Sequence, residues 1–252
     1  MEGKVETNEV IKFSCNQITD EIVNNGCFFV GAKNNSVFNT IESDWFKFAE
    51  SWNELELDTY MMDGGKYRYR KHAVLKSDKY TNHIVQIHNT PHYQSYDYNS
   101  LNGDIERWYK CIDDNVISSN SFGKIIEHAL KVFNLCEINN LDENWSSWYI
   151  EAHQFRIIAN NEFHGEPTPE GINKDGVSYI FMMPIHKDNI KGGISTIYDN
   201  HQKELCQFEM KVGDATYVDD TKMFHGVSGI FPVTDDRNGI RDMLVLTFKK
   251  ME

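Results

Sequence analysis

Three places in the second half of the chain carry side chains that could bind a metal ion and an anion. Asn173 and Asp175 form the first, His225 the second and Arg241 the third. Side chains two residues apart on a strand point to the same face, so the first pair could reach one ion together. Two histidines and one carboxylate are the usual ligands of non-haem Fe(II), and arginine holds a carboxylate through two parallel hydrogen bonds. These residue types suggest an iron site beside an anion site.

The weak point of this pattern is Asn173, which stands where the first histidine of an H-x-D…H ligand set belongs. Its amide offers a neutral oxygen, a weaker ligand for Fe(II) than an imidazole. Taken alone, the spacing favours structural roles, with Asp175 capping a turn and His225 packed or on the surface. Two replacement ligands are conceivable, because His186 begins a second H-x-D sequence and His164 precedes the first cluster. We expect His186 at the other end of the fold and His164 in solvent.

Other polar clusters are expected to have supporting roles. The first half contains a loose histidine-rich stretch, formed by His72, His83, His88 and His92. No two of these have a known ligand spacing on one element, which predicts positions on the surface or at a strand edge. The acidic pair Asp219-Asp220 closely precedes His225 and could orient its imidazole.

The elements that must position these residues are mostly strands. Helical periodicity occurs in residues 37–54 and 122–135, and residues 66–75 alternate charged and aromatic side chains as a strand does. The second half contains short β-like runs separated by Gly, Asn, Asp and Pro, at 148–159, 177–185, 194–198, 205–211, 215–218 and 243–249. This rhythm predicts an antiparallel sandwich or barrel braced by helices. No GxGxxG or Walker sequence is present, which excludes the nucleotide-dependent classes.

Composition and charge narrow the class of partner. The chain has 252 residues and a formal net charge of −13, from 25 Lys and Arg against 38 Asp and Glu. This charge opposes binding to nucleic acid, and no apolar run approaches the ~20 residues of a membrane span. The first ten residues lack the features of a secretion signal. We therefore expect a cytoplasmic protein that binds a small molecule, built as one domain over residues 1–252 with helical elements before about residue 55.

Several multi-residue segments, in this order along the chain, resemble a known family. They are YRYRKHAVL (67–75), YQSYDYNSLNGDIERW (93–108), HQFR (153–156), EPTPEGINKDG (166–176), the loop from Asn189 to Gly192-Gly193, DD…FHGV (219–227) and RDMLVLTF (241–248). The chain resembles the bacterial 2OG-Fe dioxygenase family that includes the isoleucine 4-hydroxylases acting on free amino acids. The resemblance spans about residues 55–250. It implies a double-stranded β-helix, or jelly roll, which agrees with the strand pattern.

The resemblance also implies roles for individual residues. Asp175 and His225 would be metal ligands, Asn173 would occupy the position of the missing histidine, and Arg241 would bind the distal carboxylate of 2-oxoglutarate. Polar contacts to the substrate would come from Gln94, Asn99, Asn102, Arg107, Gln154 and Arg156. The implied function is Fe(II)- and 2-oxoglutarate-dependent hydroxylation of a free amino acid or similar small polar metabolite. The alternative is an iron-poor relative that binds a small molecule or catalyses a different reaction.

Overall fold

The structure, a computed structural model, describes residues 12–41, 44–99, 101, 103–140 and 145–251. The helices are α1 (Cys15–Asn25), α2 (Trp45–Glu50), α3 (Asp114–Ile117) and α4 (Asn120–Asn139), with 3-10 turns at Phe38–Thr40 and Ser51–Glu54. The strands are β1 (Cys27–Val30), β2 (Glu56–Leu57), β3 (Arg68–Asp78), β4 (Ile84–Ile87), β5 (Ser147–Ala159), β6 (Tyr179–Asp188), β7 (Ile190–Gly192), β8 (Ile194–Tyr198), β9 (Glu204–Glu209), β10 (Ala215–Asp219), β11 (Phe224–Val227), β12 (Ile230–Pro232) and β13 (Gly239–Met251).

A large antiparallel sheet forms most of the fold. Its strand order is β1-β10-β6-β13-β5-β3-β2, and β4 pairs with the outer part of β3. Two small sheets, β11-β8-β9 and β12-β7, complete the structure. The prediction of a mostly β, double-stranded β-helix fold with bracing helices is confirmed.

The two longest strands show how the large sheet separates a core from a cavity. β5 and β13 pair along their whole length, from Ser147 opposite Met251 to Ala159 opposite Gly239. Successive side chains of a strand point to opposite faces. On both strands the even-numbered apolar residues, Ile150, Ala152, Leu244, Leu246 and Phe248, pack against the helices in the main core. The odd-numbered residues between 149 and 157 on β5 and between 241 and 251 on β13 line the cavity on the other side.

Helix α4 is the main brace of the outer face. Its N-cap, Ser119, accepts a hydrogen bond from the Phe122 backbone N–H, and the buried stripe includes Ile125, Ala129 and Phe133. The helix predicted over residues 122–135 is thus confirmed and extends further at both ends. No helix in the described part of the chain is long and apolar enough to cross a membrane.

The single helix predicted over residues 37–54 is instead broken into a 3-10 turn, the short α2 and a second 3-10 turn. Asp44, which precedes α2, is tied to another helix. Its carboxylate accepts hydrogen bonds from the backbone N–H and hydroxyl of Ser121 on α4, rather than capping its own helix. The apolar periodicity still holds, because Ile41, Phe48 and Trp52 are buried in the main core.

Candidate functional site

A cavity of about 450 Å³ lies between the inner face of the large sheet and β11. Alternate residues of β5, β6 and β13 give it an apolar wall, formed by Phe155, Ile157, Ile180, Met182, Met243 and Val245. Charged and polar side chains converge on the rest of its surface. This combination of an apolar wall with a few convergent polar groups is typical of a small-molecule site.

The predicted ligands Asn173, Asp175 and His225 lie together in this cavity, and we call them the Asp175 site. The backbone N–H groups of Asn173 and His225 each donate to the other residue's carbonyl at 3.0 Å, as in an antiparallel pair. Directly opposed residues place their side chains on one face. Asp175, two residues further on, reaches the same place, and its Oδ2 lies 4.0 Å from His225 Nε2.

Asp220 holds the loop that carries Asp175. Its carboxylate accepts hydrogen bonds from the backbone N–H groups of Asp175 at 3.1 Å, Gly176 at 2.7 Å and Val177 at 3.0 Å. The expectation that the acidic pair at 219–220 orients the imidazole of His225 is corrected. Asp220 instead fixes the backbone of the segment that carries Asp175.

Unpartnered polar atoms mark the Asp175 site as built for a ligand. Among the described residues, Asn173 Oδ1, His225 Nδ1 and Glu170 Oε2 are buried without a hydrogen-bond partner, although Asn173 Nδ2 donates to Glu170 Oε1 at 2.9 Å. A buried polar atom without a partner costs about 1–3 kcal/mol, so such atoms are rare in the absence of a ligand. One carboxylate, one imidazole and one amide oxygen fit a divalent metal ion. This set has one imidazole fewer than the set of two histidines and one carboxylate, and therefore one strong ligand fewer.

The electrostatics of the Asp175 site also favour a bound cation. Burial raises the pKa of Asp175 to about 6; the neighbouring His225 opposes the shift, while the carboxylates of Asp220 and Glu170 add to it. A divalent cation reverses this balance, because it stabilises the ionised carboxylate that coordinates it. The ionised form of the Asp175 carboxylate is therefore electrostatically unfavourable, and a bound cation would relieve this.

Two buried guanidinium groups face the cavity without a carboxylate partner in the described part of the chain. Arg241 is 5% exposed, and burial alone lowers its pKa to about 10. Arg107 is 2% exposed; its Nη2 lies 3.5 Å from Gln94 Oε1, and its Nε has no hydrogen-bond partner. By contrast, the nearby Arg68 pairs with Asp58 at 2.8 Å. Buried charges are normally paired, so Arg107 and Arg241 are suited to bind anionic groups of ligands.

Gln94 connects the Asp175 site to Arg107. Its Nε2 donates to the backbone carbonyl of Asp175 at 3.2 Å, and its Oε1 accepts from Asn99 Nδ2 at 3.1 Å. Gln94, Asn99 and Arg107 all line the cavity, and their contact with a substrate stays a prediction. Asn102, assigned to the same wall, lies outside the described residues.

Gln154 and Arg156 have a different position from the one expected. Both lie on the even-numbered face of β5, away from the cavity. Gln154 Nε2 donates to Ser51 Oγ at 2.8 Å, and Arg156 holds both carboxylate oxygens of Asp242 at 2.7 and 2.8 Å. The first contact ties β5 to the N-terminal elements, and the second joins β5 to β13 within the sheet. The expectation that Gln154 and Arg156 contact the substrate is therefore corrected.

The two alternative histidine ligands also lie away from the cavity. The His186 side chain is 49% exposed and lies 3.6 Å from Asp242 on the outer face. The His164 side chain is 52% exposed and pairs with Glu166 at 2.8 Å. The sequence-based placement of both residues outside the Asp175 site agrees with the structure.

A second group of ligand-type side chains, missed by the sequence analysis, lies at the same cavity, which three of its four members line. His72, His92, Glu151 and His153 each offer a ligand atom, and these atoms lie within 4.8 Å of one another; we call them the Glu151 cluster. His72 and His153 are directly opposed on β3 and β5, and Glu151 lies two residues before His153. The expectation of surface or strand-edge positions is wrong for His72 and His92, since one is buried and the other lines the cavity.

A signal for this cluster was present in the sequence. Glu151-Ala152-His153 has the same two-residue spacing as Asn173 and Asp175, which places both side chains on one strand face. Nothing local indicated that His72 would lie opposite on the neighbouring strand. His83 and His88, from the same histidine-rich stretch, are exposed as predicted.

The ionised form of the Glu151 carboxylate is stabilised by its neighbours, in contrast to that of Asp175. Glu151 Oε1 lies 3.0 Å from both His72 Nε2 and His92 Nδ1. Burial opposes the ionisation of Glu151, but the two histidines outweigh it and hold its pKa well below the usual range. Burial lowers the pKa of His92 to about 4 and that of His153 well below its ordinary value. At neutral pH the cluster therefore combines an ionised Glu151 carboxylate with neutral imidazoles at His92 and His153.

Comparison with solved structures shows the fold. A bsmA homologue from Methylobium petroleophilum PM1 superposes with a TM-score of 0.84 at 24% identity, covering 95% of this chain and 94% of the other. IDO from Bacillus thuringiensis superposes with a TM-score of 0.74 at 17% identity, covering 100% and 98%. The Fe(II)/α-ketoglutarate-dependent dioxygenase TqaL gives a TM-score of 0.73 at 14% identity, covering 93% and 86%.

Comparison of sequences gives the family. The chain is 24% identical to L-isoleucine-4-hydroxylase from Bacillus thuringiensis over 236 residues, which cover 91% of this chain and 90% of the relative. The model of the 2OG-Fe dioxygenase family matches residues 49–247, most of the chain and all of the cavity-lining strands up to Thr247 on β13. Fe(II) and 2-oxoglutarate are the cofactors this match implies, and the protein is an oxidoreductase that belongs to the 2OG-Fe dioxygenase family.

Proposed function

We propose that this protein is a 2-oxoglutarate-dependent hydroxylase of a free amino acid with an aliphatic side chain. The observation that carries the proposal is the pair of buried guanidinium groups, Arg107 and Arg241, which face one cavity without carboxylate partners among the described residues. Two unpaired cations require two anionic groups. A 2-oxoglutarate carboxylate and the α-carboxylate of an amino acid supply them.

Each half of the cavity has a part in this proposal. Asp175 and His225 would hold Fe(II), with Asn173 Oδ1 as a weak third ligand, and Arg241 would fix 2-oxoglutarate beside them. Bound Fe(II) with 2-oxoglutarate supplies the oxygen-dependent oxidation, while the protein supplies orientation and a cavity that excludes water. Asp220 keeps the Asp175 carboxylate in place through its three backbone hydrogen bonds.

The substrate would lie between Arg107 and the apolar wall. Arg107 would bind its α-carboxylate, and Gln94 would keep Arg107 in register with the Asp175 site through the hydrogen bonds it makes to both. Phe155, Met182 and Val245 would contact its aliphatic side chain. A wall of this kind rejects charged side chains, because it offers them no partner for their desolvated charge.

The alternative function, a small-molecule-binding protein that has lost oxidation, has one specific observation in its favour. Asn173 replaces an imidazole ligand and directs its amide N–H₂ to Glu170 at 2.9 Å, which ties position 173 to a neighbouring carboxylate. The pocket and both guanidinium groups would then serve binding alone.

The test is turnover of purified protein with Fe(II), 2-oxoglutarate, oxygen and a panel of free L-amino acids, with succinate and the hydroxylated product measured by mass spectrometry. We expect succinate formation that depends on an aliphatic amino acid and is lost in Asp175→Asn. Binding of the amino acid without any succinate, in protein shown to be loaded with iron, would contradict the proposal and support the alternative.

A further inference from the structure

The Glu151 cluster is a group of metal-ligand side chains outside the Asp175 site. It combines residues from three parts of the chain: His72 on β3, His92 from the segment that follows β4, and Glu151 and His153 on β5. His92 is held by two backbone hydrogen bonds with Arg107, at 2.9 and 3.0 Å, so it is fixed although it lies in an irregular segment. The ligand atoms are therefore positioned by paired backbone before any ion binds.

The distances match those between adjacent ligands of one ion. Metal–nitrogen and metal–oxygen bonds are about 2.0–2.2 Å long, so two ligands at a right angle on one ion lie about 3 Å apart. Glu151 Oε1 is 3.0 Å from His72 Nε2 and 3.0 Å from His92 Nδ1. In the Asp175 site the corresponding distance between Asp175 and His225 is 4.0 Å.

His153 is not one of the proposed ligands, but it orients the imidazole of His72. Arg70 Nη2 lies 2.7 Å from His153 Nδ1, and since a guanidinium can only donate, the neutral ring carries its proton on Nε2. The ring stacks on His72 with centroids 4.9 Å apart and an angle of 25° between the planes, which fixes the orientation of that imidazole. The charge of Arg70 is partly offset by Asp58 at 3.7 Å and by the Tyr109 and Phe155 rings on which it lies.

We propose that His72, His92 and Glu151 form a second metal site, which binds a divalent first-row transition metal ion in the same cavity. Two imidazoles and one carboxylate leave coordination positions open, and the cavity gives a small ligand access to them. The competing explanation is a metal-free network in which both imidazole N–H groups donate to Glu151. The experiment must therefore distinguish this metal-free network from a bound metal ion.

The experiment is a titration of metal-stripped full-length protein with Co(II), followed by its visible absorption and by X-ray absorption to count imidazole ligands. The parent is compared with Glu151→Gln and His92→Ala, which alter the Glu151 cluster, and with Asp175→Asn, which alters the other site. Glu166→Gln is the matched control, because the half-buried Glu166 forms a carboxylate–histidine pair with His164 outside the cavity. Circular dichroism establishes that each variant is folded. If Glu151→Gln on β5 fails to fold, His92→Ala still tests the cluster, because His92 lies in an irregular segment outside the strands.

The expected result is a Co(II) ion with two imidazole ligands that persists in Asp175→Asn and Glu166→Gln. Its dissociation constant should rise by about 100-fold or more in Glu151→Gln and His92→Ala, since even changes beyond the direct ligands cost 10–100-fold. Unchanged Co(II) binding in folded Glu151→Gln and His92→Ala would overturn the second site, as would a parent that binds no Co(II) with two imidazoles. A Co(II) ion lost only in Asp175→Asn would also overturn it, while supporting the metal ligands of the proposed function.

Discussion

The Asp175 site and the Glu151 cluster present the same kind of side chains to one cavity in opposite electrostatic states. At Asp175, one imidazole lies 4.0 Å away, an amide replaces the second, and burial raises the pKa of the carboxyl to about 6. At Glu151, two imidazoles lie 3.0 Å away and hold the pKa of the carboxyl well below its usual range. The number of close donors, rather than the depth of burial, decides whether a cavity carboxylate is stable in its ionised form.

This difference has a consequence for metal binding. The Asp175 site gains most from an arriving cation, because the cation relieves an unfavourable charge and meets unpartnered atoms. The Glu151 cluster is already satisfied, yet its ligand atoms have the spacing that an ion requires. If both proposals hold, a site whose carboxylate lacks close partners and a site whose ligand atoms are already paired share one cavity, and variants can separate these two properties.

The largest effect is expected at Arg241, the buried guanidinium proposed to bind 2-oxoglutarate. Arg241→Ala should raise the apparent KM for 2-oxoglutarate by about 100-fold or more, because removing one partner of a desolvated charge pair costs about 2–5 kcal/mol. Steady-state kinetics at varied 2-oxoglutarate measures this. Arg237→Ala is the matched control, since Arg237 is exposed and pairs with Asp188 outside the cavity. An unchanged KM in Arg241→Ala would remove Arg241 from the site.

The next effect tests whether the Asp175 site is short of one imidazole. Asn173→His should tighten Fe(II) binding by about 10–100-fold and raise turnover, because imidazole is a stronger ligand than an amide oxygen. The backbone pairing with His225 already places position 173 correctly. Asn173→Gln, which keeps the amide, is the control. Iron binding no tighter in Asn173→His than in the parent, measured by titration, would contradict the prediction.

Arg107 should affect the substrate and leave the cofactors unchanged. Arg107→Ala should raise the KM for the amino acid by about 10-fold or more and uncouple succinate formation from product formation, while metal affinity and the KM for 2-oxoglutarate stay the same. This outcome would show that the two guanidinium groups of one cavity bind different molecules. Equal increases in both KM values would show that Arg107 and Arg241 act on one molecule.

The smallest effects concern stability of the metal-free protein, where the two carboxylates should behave oppositely. The pKa of Asp175 is about 4 in the unfolded chain and about 6 in the folded protein, so its ionised form destabilises the fold. The stability that this group contributes is therefore lost as the pH rises from about 4 through about 6. Asp175→Asn should therefore stabilise metal-free protein at pH 7, by about 1–2 kcal/mol once screening at a cavity-facing carboxyl is allowed for, and give little gain at pH 4.

Glu151 provides the other half of this comparison. Its lowered pKa means that it stabilises the fold above its ordinary value near 4.5, and that this contribution is lost as pH falls through the lower folded-state pKa. Glu151→Gln should therefore destabilise metal-free protein at pH 7. Urea unfolding of both variants at pH 7 and pH 4 measures the two signs. Stabilisation by both substitutions at pH 7 would refute the contrast between the two clusters.

The sequence by itself determined strands β3, β5, β6, β8, β9, β10 and β13, the bracing helix α4, and the shared strand face of Asn173 and Asp175. Alternation and helical periodicity are local consequences of backbone geometry, so a single chain shows them directly. The family resemblance supplied what the spacing alone left open, namely which acidic residue and which distant histidine belong together. It also placed Arg241 in the cavity, where the structure has it.

Only the tertiary structure decided which face of each strand meets the cavity and which distant side chains meet one another. Gln154 and Glu151 lie on the same strand three residues apart, yet one braces the sheet and the other faces the cavity. His72 becomes a neighbour of His153 through the register between β3 and β5, which no local pattern encodes. Since a shift of one residue in that register would send every side chain to the other face, the Glu151 cluster exists only once the sheet has formed.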